Sequence, residues 1–226
     1  MRLLAGAAAT TVAVLAAAVV LWTQTDRSQP QTPQTAASSS TTPTASAETA
    51  TSTALGLIED VRADLVYPRL AAPWTPIGQE WKQSFTAGQI AAVQAPTNGA
   101  SFNALCVSGV PRTNETQGYT RQDGLRTVAA RVKTRILNEL FTVLHTQTAL
   151  ASGPSSRPRA AAAWTERFRL DFPDARANGW QVTSITAALL LTDPGTGRLG
   201  LLLVAIPNSF TTPGDLDTLL SSTRSI

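Results

Sequence analysis

Two strongly apolar runs, residues 180–192 (WQVTSITAALLLT) and 198–207 (RLGLLLVAIP), stand five residues apart near the C-terminus. The connection is Asp193-Pro194-Gly195-Thr196-Gly197. Each type suits a turn: Asp bonds to nearby backbone, Pro presets φ, and Gly accepts positive φ at no steric cost. Two apolar runs on either side of such a turn predict a pair of central antiparallel strands. Whatever else the chain does, it folds around that hairpin.

The flanking segments supply the rest of a sheet. Residues 161–172 (AAAWTERFRLDF) place Trp164, Glu166, Phe168, Leu170 and Phe172 on one face, which is a half-buried strand pattern with one charge in it. Residues 88–95 and 101–110 read as two strands, with Asn98-Gly99 as the hairpin signal between them. Residues 79–87, carrying Trp81 and Phe85, read as a further strand. Leu57, Ile58, Val61 and Leu65 have helical spacing, which predicts a short helix or an extended entry segment over residues 55–67. Pro68, Pro73 and Pro76 then interrupt regular structure, and Trp74 beside Pro73 is placed at the core edge.

Helices come from two places. Residues 123–150 form a long amphipathic helix by period, with Leu125, Val128, Val132, Ile136, Leu140 and Leu144 on one side. Arg126, Arg131, Lys133, Arg135 and Glu139 fall on the other, and Asp123 is the N-cap. That basic side is either a partner surface or a solvated face. Thr212-Pro213-Gly214-Asp215 opens a closing helix with Leu216, Leu219 and Leu220 inward, Thr212 capping and Pro213 at the first helical position. Strands followed by a helix, then strands and a helix, argue an α+β domain: an antiparallel sheet with one long and one C-terminal helix packed on it.

The N-terminal quarter has a different texture. Residues 3–22 (LLAGAAATTVAVLAAAVVLW) carry no charge and are long enough to span a bilayer as one helix. Arg2 before it and the nearly cancelling Asp26 and Arg27 after it orient a single pass with the N-terminus cytoplasmic and the rest outside. A cleaved signal peptide is the alternative, with small residues at Ala16-Ala17-Ala18. The apolar run continues past them to Trp22, which favours an anchor. No cysteine follows the run, which excludes a lipoprotein. Residues 23–54 are rich in Ser, Thr, Pro and Ala, hold no aromatic group, and read as a disordered linker. As a flexible coil, its reach is on the order of 30 Å. The chain therefore divides into 1–22 (membrane anchor or signal peptide), 23–54 (linker) and 55–226 (extracytoplasmic α+β domain). The expected location is the plasma membrane, with the lipid bilayer engaged through residues 3–22.

Chemistry is sparse. The 18 basic and 15 acidic residues give a formal charge of only +3, with Arg scattered from Arg62 to Arg224. That pattern excludes a clustered nucleic-acid face. Cys106 is the one cysteine, so no intrachain disulfide forms, and it reads as a small buried hydrophobe. Cys106 and the lone His145 do not make a metal site without further ligands. There is no phosphate loop, no nucleophile elbow, and no triad that does not depend on His145, which the helical period places near the polar face of the long helix. Asp171 and Asp174 are the nearest approach to paired carboxylates and read as turn residues. No catalytic residue, metal or cofactor is assigned.

The order of elements resembles the PsbP-like α/β/α sandwich of actinobacterial envelope proteins, including mycobacterial lipoproteins and an Ala/Pro-rich secreted glycoprotein. The resemblance is carried by Pro73-Trp74, the long helix from Asp123, the hairpin at residues 193–197, and the C-terminal run from Leu219 to Ile226, and covers residues 70–226. The chain departs from those lipoproteins by using a membrane helix where they carry an acylated cysteine. The resemblance implies a binding or scaffolding role in the envelope and carries over no catalytic residue. The expected function is a tethered, non-catalytic module that binds an envelope protein or wall component. The alternatives are a carrier or sensor of a small apolar ligand such as a lipid, in a groove between long helix and sheet near Trp74, Trp164 and Trp180, and an enzyme of unrecognised type.

Overall fold

The computed structural model describes residues 49–121 and 124–226. The expected membrane helix, most of the expected linker and the expected Asp123 cap fall outside the described residues. Among those described, no helix is long and apolar enough to cross a membrane.

The domain is α+β and dominated by antiparallel sheet. Its chain order is β1 (Ala54–Asp60), β2 (Leu65–Leu70), β3 (Thr75–Pro76), β4 (Ala87–Thr97), β5 (Ala100–Gly109), α1 (Thr113–Thr116), α2 (Gly124–Leu140), β6 (Thr146–Pro154), β7 (Ala162–Asp171), β8 (Ser184–Asp193), β9 (Gly200–Pro207) and α3 (Asp215–Ser222). Seven strands form one sheet in the order β3-β4-β5-β9-β8-β7-β6, and β1-β2 stand apart as a two-stranded hairpin. The predicted central hairpin is β8-β9: every residue of β9 is buried, and all of β8 except Thr186. Strands buried on both sides need a layer on each face. The α2 helix provides one, through Leu125, Val128, Ala129, Val132 and Ile136 on Phe168, Leu170, Leu189, Leu191, Leu201 and Leu203. The β1-β2 hairpin and α3 provide the other, through Leu65, Tyr67, Leu70, Leu216, Leu219 and Leu220 on Leu190, Leu202, Val204 and Ile206.

One local expectation is settled and three are corrected. Residues 55–67 take the extended alternative and not the helix: they form a strand, a turn and the start of a second strand. The Asp60 carboxylate accepts the N–H groups of Arg62 and Ala63 at 3.1 and 3.2 Å, and Asp64 takes a left-handed φ of 54°. Local bonding of this kind draws the backbone away from a helix. Residues 79–86 are not a strand: Trp81, Lys82, Ser84 and Phe85 donate to carbonyls three or four residues back, as consecutive turns. The long helix ends at Leu140, where Phe141 N–H closes on Leu137, and residues 146–154 cross to pair with β7 from Thr146↔Asp171 to Pro154↔Trp164. The leucine period ran on through Leu144, but Thr142, Val143, Thr146 and Thr148 are β-branched. The unsatisfied edge of β7 takes that segment as a partner. Finally, α3 starts at Asp215, one turn after Thr212; Thr212 gives its hydroxyl to the Asp215 carboxylate rather than capping a backbone N–H.

The expected turns do form. Asn98 and Gly99 have φ of 46° and 81° between β4 and β5, and Gly195 and Gly197 have 98° and 79° between β8 and β9. Gly200 serves differently. A Cβ there would collide with the carbonyl of Ala63, so this glycine lets the β1-β2 turn press directly on the sheet.

Candidate functional site

The three tryptophans named from the sequence do not share a groove. Trp164 and Trp180 pack against the α2-side core, whereas Trp74 is 5% exposed on the hairpin side. Trp180 is held by Nε1–H to the Thr97 carbonyl at 2.9 Å and stacks edge-on against Phe102 at 5.4 Å. Beside that cluster, between the end of α2 and the sheet, a cavity of about 180 Å³ is lined by Phe102, Phe141, Val143, Phe172 and Ile185. The Trp74 side has the larger space, about 490 Å³.

The Trp74 cleft is built by the way the β1-β2 hairpin attaches to the sheet. The hairpin is not a member of the seven-stranded ladder, so buried side chains make the joints. Asp60 bonds Thr86 and Ser108, the latter at 2.5 Å, and Tyr67 OH lies 2.9 Å from Ser108 Oγ. Because the Ser108 proton goes to the carboxylate, Tyr67 donates to Ser108. Gln89 joins β4 to β2, accepting Leu70 N–H at 2.9 Å and donating to the Pro68 carbonyl at 3.0 Å. Asp215, fully buried, collects Ser52 N–H at 2.6 Å, Ser52 Oγ at 2.7 Å, Trp74 Nε1 at 2.8 Å and Thr212 Oγ1 at 2.7 Å. Ala50 and Thr53 also accept backbone bonds, from Gly214 and Ala71. Residues that read as linker from composition are thus pinned to the domain.

The joints leave a gap where the hairpin meets the β3-β4 edge. Leu55, Ile58, Leu70, Trp74, Pro76 and Ile77 line it, with the stems of Arg69 and Lys82 at its side. Trp74 is fixed by its bond to Asp215 and by Phe210, whose ring meets it edge-on at 5.4 Å. Gln89 and Thr86 supply polar atoms to the lining, though both are engaged in the joints. Of the lining, the sequence had singled out Ile58, Trp74 and Pro76. Arg69 and Lys82 carried no signal, since scattered cations look alike in one dimension.

The remaining candidates are closed or spent. Ser108 is fully buried and its hydroxyl is committed to Asp60, so no substrate reaches it. Burial drives the Cys106 thiol far above its usual range, which leaves it protonated and inert. Burial likewise raises Tyr67, with Cys106 and Asp60 adding to it and Ser108 opposing. His145 sits in the loop after α2, not on the helix, with Nδ1 2.8 Å from the Val143 carbonyl. Asp171 pairs with Arg169 at 2.7 Å. No group of three metal-ligating side chains occurs among the described residues.

Arg126 on the basic side of α2 is exposed, but most of that side is tied to neighbouring elements. Arg135 pairs with buried Glu115 at 2.7 Å, Arg112 with Glu139 at 2.7 Å, and Lys133 with Glu166 at 2.6 Å; Arg131 donates to the Glu115 and Gln117 carbonyls. These cations fasten α1 and β7 to the helix. Glu166, the one charge on the apolar face of β7, is there to meet Lys133. At the far hairpin, burial disfavours the charged Asp193 carboxylate, but Gly195 N–H, Tyr119 OH and Arg121 outweigh it and hold its pKa below the usual carboxylate value.

No protein-family profile and no curated protein matches this chain.

Proposed function

We propose that the chain is a non-catalytic binding module of the cell envelope, carried outside the cytoplasm by residues 3–22, and that it holds a small apolar ligand in the Trp74 cleft. The observation that carries this reading is the cleft: about 490 Å³, walled by leucine, isoleucine, proline and tryptophan, with the side chains of Thr75, Thr86 and Gln89 already bonded. That volume lies within the roughly 300–1,000 Å³ of small-molecule sites, and such sites are mostly apolar. A preformed wall matters, because a rigid Trp74 and Gln89 need no ordering when a ligand arrives. The layering, with a helix on one face of the sheet and a hairpin plus helix on the other, also supports the resemblance to PsbP-like sandwiches.

The test is recovery of the full chain from its native envelope, followed by mass spectrometry of what co-purifies, alongside a Leu55→Asp variant. A stoichiometric apolar compound on the wild type that is missing from the variant supports the reading. The same lipid profile on both proteins rejects it.

A second reading concerns an envelope partner protein. Strand β6 is the outer strand of the sheet; its nine residues (TQTALASGP) carry no charge, and all but Gly153 are exposed. An uncharged edge strand is a template for strand addition from another chain. In-envelope crosslinking checks it: loss of a crosslinked species on Thr148→Pro supports strand addition, and an unchanged pattern counts against it.

A further inference from the structure

The cleft has a polarity that its volume alone does not convey. Both charged side chains among its lining residues are cations, Arg69 on β2 and Lys82 in the turns before β4, and no carboxylate lines it. Both are exposed, and neither has an ion-pair partner among the described residues. Six other cations, Arg112, Arg121, Lys133, Arg135, Arg167 and Arg169, pair with carboxylates, and others such as Arg62 and Arg126 do not; what sets Arg69 and Lys82 apart is that they border an apolar space. Glu59 adjoins Ile58 in sequence, and Glu80 lies over Gly78, two residues before Lys82; the two carboxylates that bond lining side chains are occupied. Asp60 accepts from Thr86, and Asp215 from Trp74; each is buried and bonded to the groups that hold the hairpin. An apolar cavity whose mouth offers two uncommitted cations therefore has one end for a hydrocarbon and another for a negative charge.

We infer that the ligand is a single-chain amphiphile with an anionic head, of the fatty-acid class, its chain against Trp74, Ile58 and Ile77 and its head between Arg69 and Lys82. This deepens the cleft reading and rests on it. Size agrees with a single chain. At about 30 Å³ per methylene-sized group, the share a water molecule takes in the liquid, 490 Å³ accommodates roughly sixteen such groups. That is one acyl chain and too little for a two-chain lipid. Chemistry agrees as well: a guanidinium fork matches a carboxylate with two parallel donors, and an ammonium adds a point charge from the other side. Desolvating the chain supplies affinity, and the two cations supply choice of head group.

The experiment uses the full chain in nanodiscs of zwitterionic phosphatidylcholine. Binding of palmitate and of hexadecanol is measured for the wild type, for the double variant Arg69→Gln/Lys82→Gln, and for Leu55→Asp. The Leu55→Asp protein defines the background from partition into the bilayer, and thermal midpoints verify that all three are folded. Palmitate is expected to bind the wild type about tenfold more tightly than hexadecanol, as one charge-assisted contact at an exposed rim allows. The double variant should bring palmitate down to the level of hexadecanol and leave hexadecanol unchanged, and added salt should narrow the wild-type preference. Equal binding of acid and alcohol by the wild type overturns the anionic head while leaving the apolar cleft standing, as does a preference that survives in the double variant. If neither compound distinguishes the wild type from Leu55→Asp, the cleft reading falls and this inference with it.

Discussion

The two faces of the central sheet are covered in different ways. On one, α2 lies down an apolar stripe, and its polar side is tied by ion pairs from Arg135, Arg112 and Lys133. Packing there is continuous, with about 180 Å³ left beyond the helix end. On the other, a hairpin and the short α3 share the work, and three buried polar residues, Asp60, Gln89 and Asp215, fasten them down. That cover is incomplete at the β3-β4 edge, and the gap is the cleft. A helix closes a sheet face by surface area. A hairpin held through a few directed bonds can stop short and leave a preformed space.

Four changes would break or sharpen this contrast. The largest is Phe168→Ala, which removes a ring that is 1% exposed beneath α2. It should cost about 3–5 kcal/mol, read as a drop in the chemical denaturation midpoint, because a close-packed face has no slack. On the other face, Asp215→Ala leaves Trp74 Nε1 and the Ser52 and Thr212 donors unpaired. About 3 kcal/mol should be lost, with a changed near-ultraviolet dichroism from a freed Trp74; an unchanged tryptophan signal would mean that Phe210 alone positions the ring.

Asp193→Asn probes a joint of the α2 layer through pH. The Asp193 pKa is held low by Gly195, Tyr119 and Arg121 in spite of burial, so its stabilisation is fully present above the unfolded carboxyl value of about 4. It is lost as pH falls through the lower folded value. The variant should be less stable by about 1–2 kcal/mol at neutral pH, the Arg121 share being reduced because that side chain is half exposed. The deficit should shrink steadily in acid. Urea midpoints across the acid range measure it, and a deficit independent of pH would remove the charge from the account. The smallest change is Leu55→Asp, at a side chain 61% exposed on the cleft wall. Stability should move by no more than about 0.5 kcal/mol, while apolar ligand binding is lost. A large loss of stability would mean that the wall is part of the core.

Sequence legibility followed the source of each element's order. The β8-β9 hairpin, the β4-β5 turn at Asn98-Gly99, the β7 alternation and the inward leucines of α3 were all readable, because local turn chemistry and burial period agree there. The start of β6 was not. Leu144, just before it, continues the α2 period, and only the open edge of β7, more than fifteen residues further on, turns residues 146–154 into a strand. The β1-β2 hairpin hid for a similar reason: Leu57, Ile58, Val61 and Leu65 are spaced for a helix, and the Asp60 turn overrides them. Of the site, Trp74 was visible as an anchor beside Pro73, but it was grouped with Trp164 and Trp180, which lie on the opposite face.

By itself, then, the amino-acid sequence determined an antiparallel sheet around residues 184–207 and a helix to cover it. Those follow from period, turn residues and composition, which are local. Only the tertiary structure decided which cations are consumed and which are not. It also decided where the hairpin attaches, and that Trp74, Arg69 and Lys82 border one space. Pairing is a property of neighbours in three dimensions: Arg135 has Glu115 and Glu139 beside it, and Arg69 has no carboxylate partner among the described residues.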